Sequence, residues 1–307
     1  MPTPSTAAPT RGFAFVVLAA LCWGTSGFSG SVVARHSDLG PLDIAWHRMA
    51  IGAVALLVPW ALTRRRSGPA PAVGRGTTVR LALVGAGLAC YQLAYFAAVA
   101  TAGVSIATLV ALGLAPLLIA VGATLLGHGR PDAPTVVALV VALVGLVLLV
   151  GVSAGADTGT AVLLGALLAV GSALGYAVVT LAGAGVPAGV PVTLVGFAGG
   201  ALLLTPIALA TGLRFTTDPV ALGVLLYLGV VPSAVAYALF FTGLRTVPGA
   251  VASIVTLLEP LTATALATLL LGERLAPLAL AGGLLVLAAV AGLYLRRLRQ
   301  PVPTAGA

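Results

Sequence analysis

A carboxylate lies inside one of the most apolar stretches of this chain, LLEPLTATALATLLLGERL (Leu257 to Leu275). Glu259 lies about nine residues into its predicted helix and hence some 13 Å deep, near the middle of a bilayer. There it could exchange protons or bind a substrate ammonium group, or it could stay neutral in a structural hydrogen bond. Pro260 has no N–H, so the carbonyl one turn earlier would be left for water or substrate.

A second group of polar residues lies near the start of the second predicted helix. Asp43 and His47 are four residues apart, share one helix face and could pair, whereas Arg48 points about 100° away from His47. Arg48 could bind a substrate carboxylate through two hydrogen bonds, pair structurally, or extend to the membrane interface. His47 is a further candidate for substrate contact.

Aromatic side chains within the predicted helices are candidates for lining a site. Trp23 and Tyr95 lie in the first half of the chain and Tyr237 in the second. Aromatic rings and hydroxyls suit amphipathic metabolites, although ordinary packing would use the same residues.

The composition requires a membrane to position these residues. The 307 residues are 60% hydrophobic and only 7% charged, with a mean hydropathy of +1.16. Such a chain cannot cover a soluble domain with a charged surface. It predicts an all-α integral membrane protein of ten helices: Gly12–Ala34, Leu42–Leu62, Val79–Ala100, Val104–Leu126, Ala133–Val152, Thr160–Gly183, Val190–Thr211, Pro219–Leu244, Gly249–Leu271 and Ala276–Leu295.

The basic residues predict the orientation. All fifteen are arginine, and with both termini in the cytoplasm eleven lie in inner segments against three in outer ones. This bias indicates a multi-pass protein of the bacterial inner membrane and argues against a nucleic-acid-binding surface. Polar, proline-containing ends predict a disordered N-terminus (1–11) and a cytoplasmic tail (296–307).

The second half of the chain repeats the first. A shift of 147 residues matches Gly52 with Gly199 and Pro59 with Pro206, and a shift of 144 matches Pro116 with Pro260. The predicted units are five-helix repeats at 12–152 and 153–295, and five is odd, so the copies have inverted orientations. The two proline pairs predict broken helices near a central site.

Several stretches carry a family resemblance: LCWGTSGFSG, IAWHRMAIGAVALL, YLGVVPSAVAYALFFTGLRTVPGAVAS and LEPLTATALATLLLGERL. With ten helices in two repeats, the chain resembles the drug/metabolite transporter superfamily and its EamA-type members from about Gly12 to Leu295. The resemblance implies a ten-helix inner-membrane carrier, often an exporter of amino acids, related metabolites or toxic compounds. The first repeat departs from the pattern: Ala115 stands where the second has Glu259, and GHGRP where the second has LGERL.

The expected function is therefore secondary transport of a small organic solute by alternating access. A zwitterionic amino acid would satisfy both Glu259 and Arg48, and protons are the candidate coupling ion. Export of drugs or toxic compounds and a non-transporting structural subunit remain alternatives, and monomer and homodimer both stay open. No catalytic, metal-ligand, cofactor or nucleotide-binding motif is found in the sequence, so the chain is predicted not to be an enzyme.

The orientation is directly testable. A reporter fused after Arg299 should be active only where it is cytoplasmic, because the arginine bias places both ends there. A reporter found on the outer side would overturn the predicted topology.

Overall fold

The protein is a bundle of helices. The computed structural model describes residues 7–64, 73–150, 160–271 and 277–299, and these contain no β-strand. Ten helical spans follow one another: α1 (Ala7–Gly24 and Ser26–His36), α2 (Pro41–Arg64), α3 (Arg75–Gly103), α4 (Ile106–Leu125), α5 (Ala133–Val150), α6 (Thr160–Ala184), α7 (Val192–Ala210), α8 (Pro219–Gly243), α9 (Gly249–Val255 and Leu258–Leu271) and α10 (Pro277–Arg299).

The ten predicted helices are all present. Within the described ranges nine spans are long and apolar enough to cross a membrane, and the tenth, in α5, is a shorter apolar helix, Ala133–Leu149. The chain reverses between α3 and α4 at Gly103, whose φ of 80° is disfavoured for other residues. A 2.8 Å hydrogen bond joins Tyr95 Oη to Thr108 Oγ1. These residues would be about 20 Å apart in one continuous helix, so α3 and α4 fold back on each other.

The expected helix breaks are found at only one of the four prolines. The helices run without interruption through Pro59, Pro116 and Pro206. Near Pro260 the helix is interrupted by a turn at residues 256–257. A proline removes a single backbone donor, and neighbouring helices in a membrane bundle can accommodate that loss without a break.

The termini differ from the predicted ones. Helix α1 begins at Ala7, so residues 7–11 are helical and not disordered, and α10 continues to Arg299 into the predicted tail. Apolar residues Phe13 and Tyr294 pack with ring centroids 5.3 Å apart, which gives these helix ends a tertiary contact. Residues 1–6 and 300–307, and the GER sequence at 272–274, lie outside the described ranges.

The repeat seen in the sequence recurs in three dimensions. A Cβ added to Gly52 of α2 would lie 3.3 Å from the carbonyl oxygen of Gly229 of α8. Their counterparts in the other repeat, Gly199 of α7 and Gly85 of α3, also face each other, with a Cβ on Gly199 3.8 Å from the Gly85 Cα. Matched glycines thus allow matched pairs of helices to approach closely, as two related five-helix units require.

Helices α5 and α10, the last of each repeat, pack on one another. A Cβ on Gly282 would lie 2.5 Å from the Gly145 carbonyl oxygen, and a Cβ on Gly145 would lie 2.7 Å from that of Gly282. Next to the start of α5, Asp132 accepts hydrogen bonds from the Arg296 guanidinium of α10, which holds the pKa of the aspartate well below its usual range. The two repeats are therefore joined along α5 and α10.

This contact predicts different costs for two glycine substitutions in one helix. Gly282→Ala should destabilise the protein by about 1–3 kcal/mol, since the new methyl group would push against backbone atoms of α5. Gly292→Ala is the matched control, because among the described residues nothing beyond its own helix backbone lies within 4 Å of the added Cβ. It should be neutral or slightly stabilising. Thermal unfolding in detergent, followed by size-exclusion chromatography, measures both. Equal melting temperatures would contradict the proposed close contact.

Candidate functional site

A cavity of ≈ 330 Å³ lies between the two repeats. It extends toward the end of the bundle where α1 ends and α2 begins. Its polar or aromatic lining residues are Trp23, Ser26, Arg48, Tyr91, Gln92, Tyr95, Phe96, Tyr237 and Glu259. Most of the remaining wall is formed by small and aliphatic residues of α1, α2 and α3.

Arg48 of α2 is buried in this wall, with 5% of its surface exposed. Its Nε donates to Ser233 Oγ at 3.3 Å and its Nη1 donates to Gln92 Oε1 at 3.4 Å. The guanidinium also lies 5.6 Å from the centre of the Phe96 ring, within cation–π range. These contacts fix the orientation of the arginine, but none of them supplies a negative charge.

The position of Ser233 follows from the proline before it. In a regular α-helix the Leu228 carbonyl would accept from the amide of residue 232, but Pro232 has no N–H. The helix widens here into a π-helical segment, Val230–Val235, and the Ser233 hydroxyl donates to the Leu228 carbonyl at 2.6 Å. A hydroxyl has one proton to donate, so toward Arg48 it acts as an acceptor.

Glu259 enters the cavity from α9, immediately after the interruption of that helix. Its backbone amide donates to the Thr256 carbonyl at 2.9 Å. This is the carbonyl that Pro260 was expected to leave without a donor, so the expectation of a free backbone acceptor is corrected. The Thr256 carbonyl thus accepts a hydrogen bond from the amide three residues later, as in a 3₁₀ turn, so it has a donor within its own segment.

The two charged groups share the cavity without forming an ion pair. Among the described residues no direct salt bridge joins Arg48 to Glu259, although the two lie close enough to interact electrostatically. Both side chains therefore face the same cavity, Arg48 with N–H donors and Glu259 with carboxyl oxygens. No cluster of His, Cys, Asp and Glu suited to a metal ion occurs in the described ranges.

Below the cavity, aromatic rings from both repeats pack together. Trp23 lies with its ring centroid 4.8 Å from that of Tyr237 and 5.2 Å from that of Phe240. Tyr176 contacts Trp23 edge to face at 6.2 Å and Phe240 at 6.0 Å. All four side chains are buried. We call Trp23, Tyr176, Tyr237 and Phe240 the aromatic layer; it closes the cavity toward the other end of the bundle.

Comparison with known proteins shows which family has this architecture. The model of the EamA-like transporter family matches twice, at residues 10–151 and 161–295. The chain belongs to the EamA-like transporter family. It is 32% identical over 281 residues to the uncharacterized transporter YwfM of Bacillus subtilis (strain 168). The aligned region covers 90% of this chain and 93% of the relative. One crystal structure, 22% identical, superposes with a TM-score of 0.76 over 97% of this chain and 100% of that chain, which shows the shared fold.

Most of the site residues predicted from the sequence meet in this EamA-like transporter. Glu259, Arg48, Trp23, Tyr95 and Tyr237 all line the one cavity. The Tyr95 hydroxyl is bonded to Thr108, so its ring contributes more to the wall than its oxygen does. Family membership makes the protein a multi-pass membrane transporter. The prolines at 59, 116 and 206 lie outside the cavity lining, whereas Pro260 adjoins it.

His47 lies elsewhere. Its ring packs edge to face against Trp46 and Phe215, each centroid 5.1 Å away, and its Nδ1 lies 2.7 Å from the Asp43 backbone oxygen. The expected side-chain pair of Asp43 and His47 does not form, because the Asp43 carboxylate accepts from the backbone amides of Gly40 and Arg214. This group of residues joins the start of α2 to the α7–α8 loop and does not line the cavity.

Sequence reasoning missed the uncharged members of the site. Gln92 and Ser233 hold Arg48, Phe96 lies beside it, and Ser26 and Tyr91 complete the polar wall. Screening for charges in apolar helices does not select these residues. The adjacent Pro232 and Ser233 were the available signal, since a proline followed by a hydroxyl residue marks a helix distortion that the side chain can satisfy.

The double role of Ser233 predicts an unusually costly serine-to-alanine change. Ser233→Ala would leave the Leu228 carbonyl without its hydroxyl donor and the Arg48 Nε without its acceptor, so we expect a loss of about 1–3 kcal/mol. Ser253→Ala is the control: Ser253 is equally buried, but its hydroxyl bonds to Ala250 within a regular helical turn. Melting temperatures in detergent should fall further for Ser233→Ala. The same decrease in both variants would contradict the assignment.

Proposed function

We propose that the protein is an inner-membrane secondary transporter that exports amino acids or closely related zwitterionic metabolites by alternating access. One observation carries this proposal. A buried arginine and a carboxylate face the same cavity, and among the described residues no direct salt bridge joins them. A buried charge without a partner is costly, so a ligand that brings both complementary charges is favoured.

The arrangement of donors and acceptors gives the ligand an orientation. Arg48, with its hydrogen-bonded neighbours, offers donors for a carboxylate, and Glu259 offers oxygens for an ammonium group. An amino acid carries these two groups on one carbon atom. Its side chain would lie against the apolar wall formed by residues such as Leu39, Ile44 and Val99.

The size of the cavity favours a small solute. Its volume of ≈ 330 Å³ lies near the lower end of ligand-sized clefts, which suits a single amino acid better than a peptide. Aromatic walls would also suit lipophilic drugs, which remain the second candidate class. The paired charges favour the zwitterion over that class.

A second cavity supports alternating access. It measures ≈ 470 Å³ and lies where α4 and α8 end, on the side that the arginine distribution assigns to the cytoplasm. Thr180 of α6 lines it, and Tyr176, one turn earlier, belongs to the aromatic layer. In α9 Val251 lines the second cavity and Glu259 the first, with Val255 fully buried between them. The aromatic layer would be the barrier that opens when the substrate enters from the cytoplasm.

In this proposal Glu259 couples proton movement to substrate transport. Because the acid lies at the substrate position, an ammonium group and a proton would compete for it, which allows exchange of one for the other. Export against a gradient would then be driven by inward proton movement. The coupling, like the cytoplasmic position of both termini, belongs to the proposal.

The proposal is tested with purified protein in liposomes and a panel of radiolabelled amino acids. A lumen more acidic than the bath should drive amino acid uptake in exchange for protons. Glu259→Gln should abolish this dependence on the pH gradient, whereas Asp38→Asn, which removes an exposed carboxylate of the α1–α2 loop, should retain it. Arg48→Gln should weaken apparent affinity by about 2 kcal/mol or more, roughly thirtyfold.

Each alternative has its own outcome. Unchanged proton coupling in Glu259→Gln would refute the role of the acid. Movement of lipophilic cations without movement of any zwitterion would favour the drug-exporter alternative. A folded protein that moves no solute in either direction would favour a structural subunit.

A further inference from the structure

Gln92 of α3 is a polar residue of the cavity wall with incomplete hydrogen bonding among the described residues. It is 2% exposed and lies in the wall beside Arg48, one turn before Phe96, which stacks on the same guanidinium. Gln92 and Phe96 therefore hold the arginine from one face of α3. Neither residue carries a charge.

The hydrogen-bonding capacity of Arg48 determines which way the Gln92 amide points. A guanidinium can only donate, so the amide oxygen of Gln92 must face it, as the 3.4 Å contact from Nη1 to Oε1 shows. The amide nitrogen is then not used in the contact with the arginine. Among the described residues this nitrogen, Nε2, has no hydrogen-bond acceptor.

A buried donor without an acceptor is unusual in a folded protein and costs free energy. Trp23 Nε1 and Ser26 Oγ, in the wall of the same cavity, also lack partners among the described residues. Unused polar groups concentrated around one cavity indicate that a polar ligand completes them. A ligand group that accepts several hydrogen bonds and carries negative charge satisfies both the amide and the guanidinium.

We propose that Gln92 is a specificity-determining residue that selects a carboxylate at the Arg48 end of the cavity. One carboxylate oxygen would accept from the Arg48 guanidinium and the other from Gln92 Nε2, while Gln92 Oε1 keeps the arginine in place. This inference rests on the proposed function for its substrate class, and it adds the group that distinguishes an acid from its uncharged derivatives. An amino acid amide would bring an NH₂ group against these donors and bind poorly.

Gln92→Glu tests the inference with almost no change in shape. The glutamate keeps an acceptor toward Arg48, but it replaces the Nε2 donor with a second acceptor and places a negative charge where the substrate carboxylate would lie. The measured quantity is the ratio of affinities for an amino acid and for its carboxamide. We expect this ratio to fall about tenfold or more in Gln92→Glu, because a charge-assisted hydrogen bond is replaced by repulsion.

Two further variants make the result specific. Gln92→Met removes the donor without adding charge, so the ratio should fall in the same direction by a smaller factor. Thr217→Glu adds the same charge on the exposed α7–α8 loop, away from the cavity, and should leave the ratio unchanged. Ligand-induced shifts of the melting temperature in detergent report binding separately from transport.

The outcomes separate this inference from the proposed function. A wild-type ratio near one, or an unchanged ratio in folded Gln92→Glu and Gln92→Met, would overturn the role of Gln92. If amino acids do not bind but a simple monocarboxylate binds better than its amide, and Gln92→Glu reverses that preference, the inference stands and the zwitterion proposal fails.

Discussion

The structure depends on the burial of one guanidinium in an apolar helical bundle. Arg48 cannot lose its charge, and no described carboxylate pairs with it directly, so neutral acceptors must support it. The support comes from a serine and a glutamine on two other helices, and the serine is available because Pro232 distorts α8. These neutral bonds fix the arginine without cancelling its positive charge. A buried counter-ion from the protein would instead have compensated that charge directly.

The site requires the two repeats to meet closely. Arg48 and Gln92 come from the first repeat, and Ser233 and Glu259 come from the second. The 3.3 Å hydrogen bond from Arg48 to Ser233 crosses between the repeats and requires their helices to approach closely. The facing glycines of α2 with α8 and of α3 with α7 permit that approach. A Cβ at Gly229 would already collide with Ile51, three residues from Arg48, so the glycines preserve the geometry of the arginine as well as the packing. The same contacts that hold the repeats together therefore position the charged groups.

Charge and hydropathy predicted much of this arrangement. Ten apolar runs, the turn at Gly103, and the presence of Glu259 and Arg48 in one cavity all follow from membrane energetics, since a charge in an apolar helix must face a cavity or a partner.

His47 shows the limit of that rule. It lies one residue from Arg48 but on another face of α2, so it packs against Trp46 and Phe215 instead. The rule did not select Gln92, because Gln92 is uncharged. Its role depends on a contact with Arg48, which lies on another helix 44 residues away in the sequence. The proline rule failed at Pro116 because a helix can lose one backbone bond and continue.

The asymmetry of the two repeats explains how a duplicated fold acquires a single site. With the shift of 144 residues that matches Gly85 to Gly229, Glu259 corresponds to Ala115, Ser233 to Ala89 and Gln92 to Ala236. With the shift of 147 that matches Gly52 to Gly199, Arg48 corresponds to Val195. These four polar residues thus have apolar counterparts, and the three alanines are buried in the packed core. The repeat supplies two related sets of helices. The polar residues occur in only one of each pair of related positions. A mirrored second set of charges would place two further unpaired ions in the membrane, at a cost of several kcal/mol each. The asymmetry therefore confines one arginine, one acid and their neutral supports to a single cavity, which limits the energetic penalty.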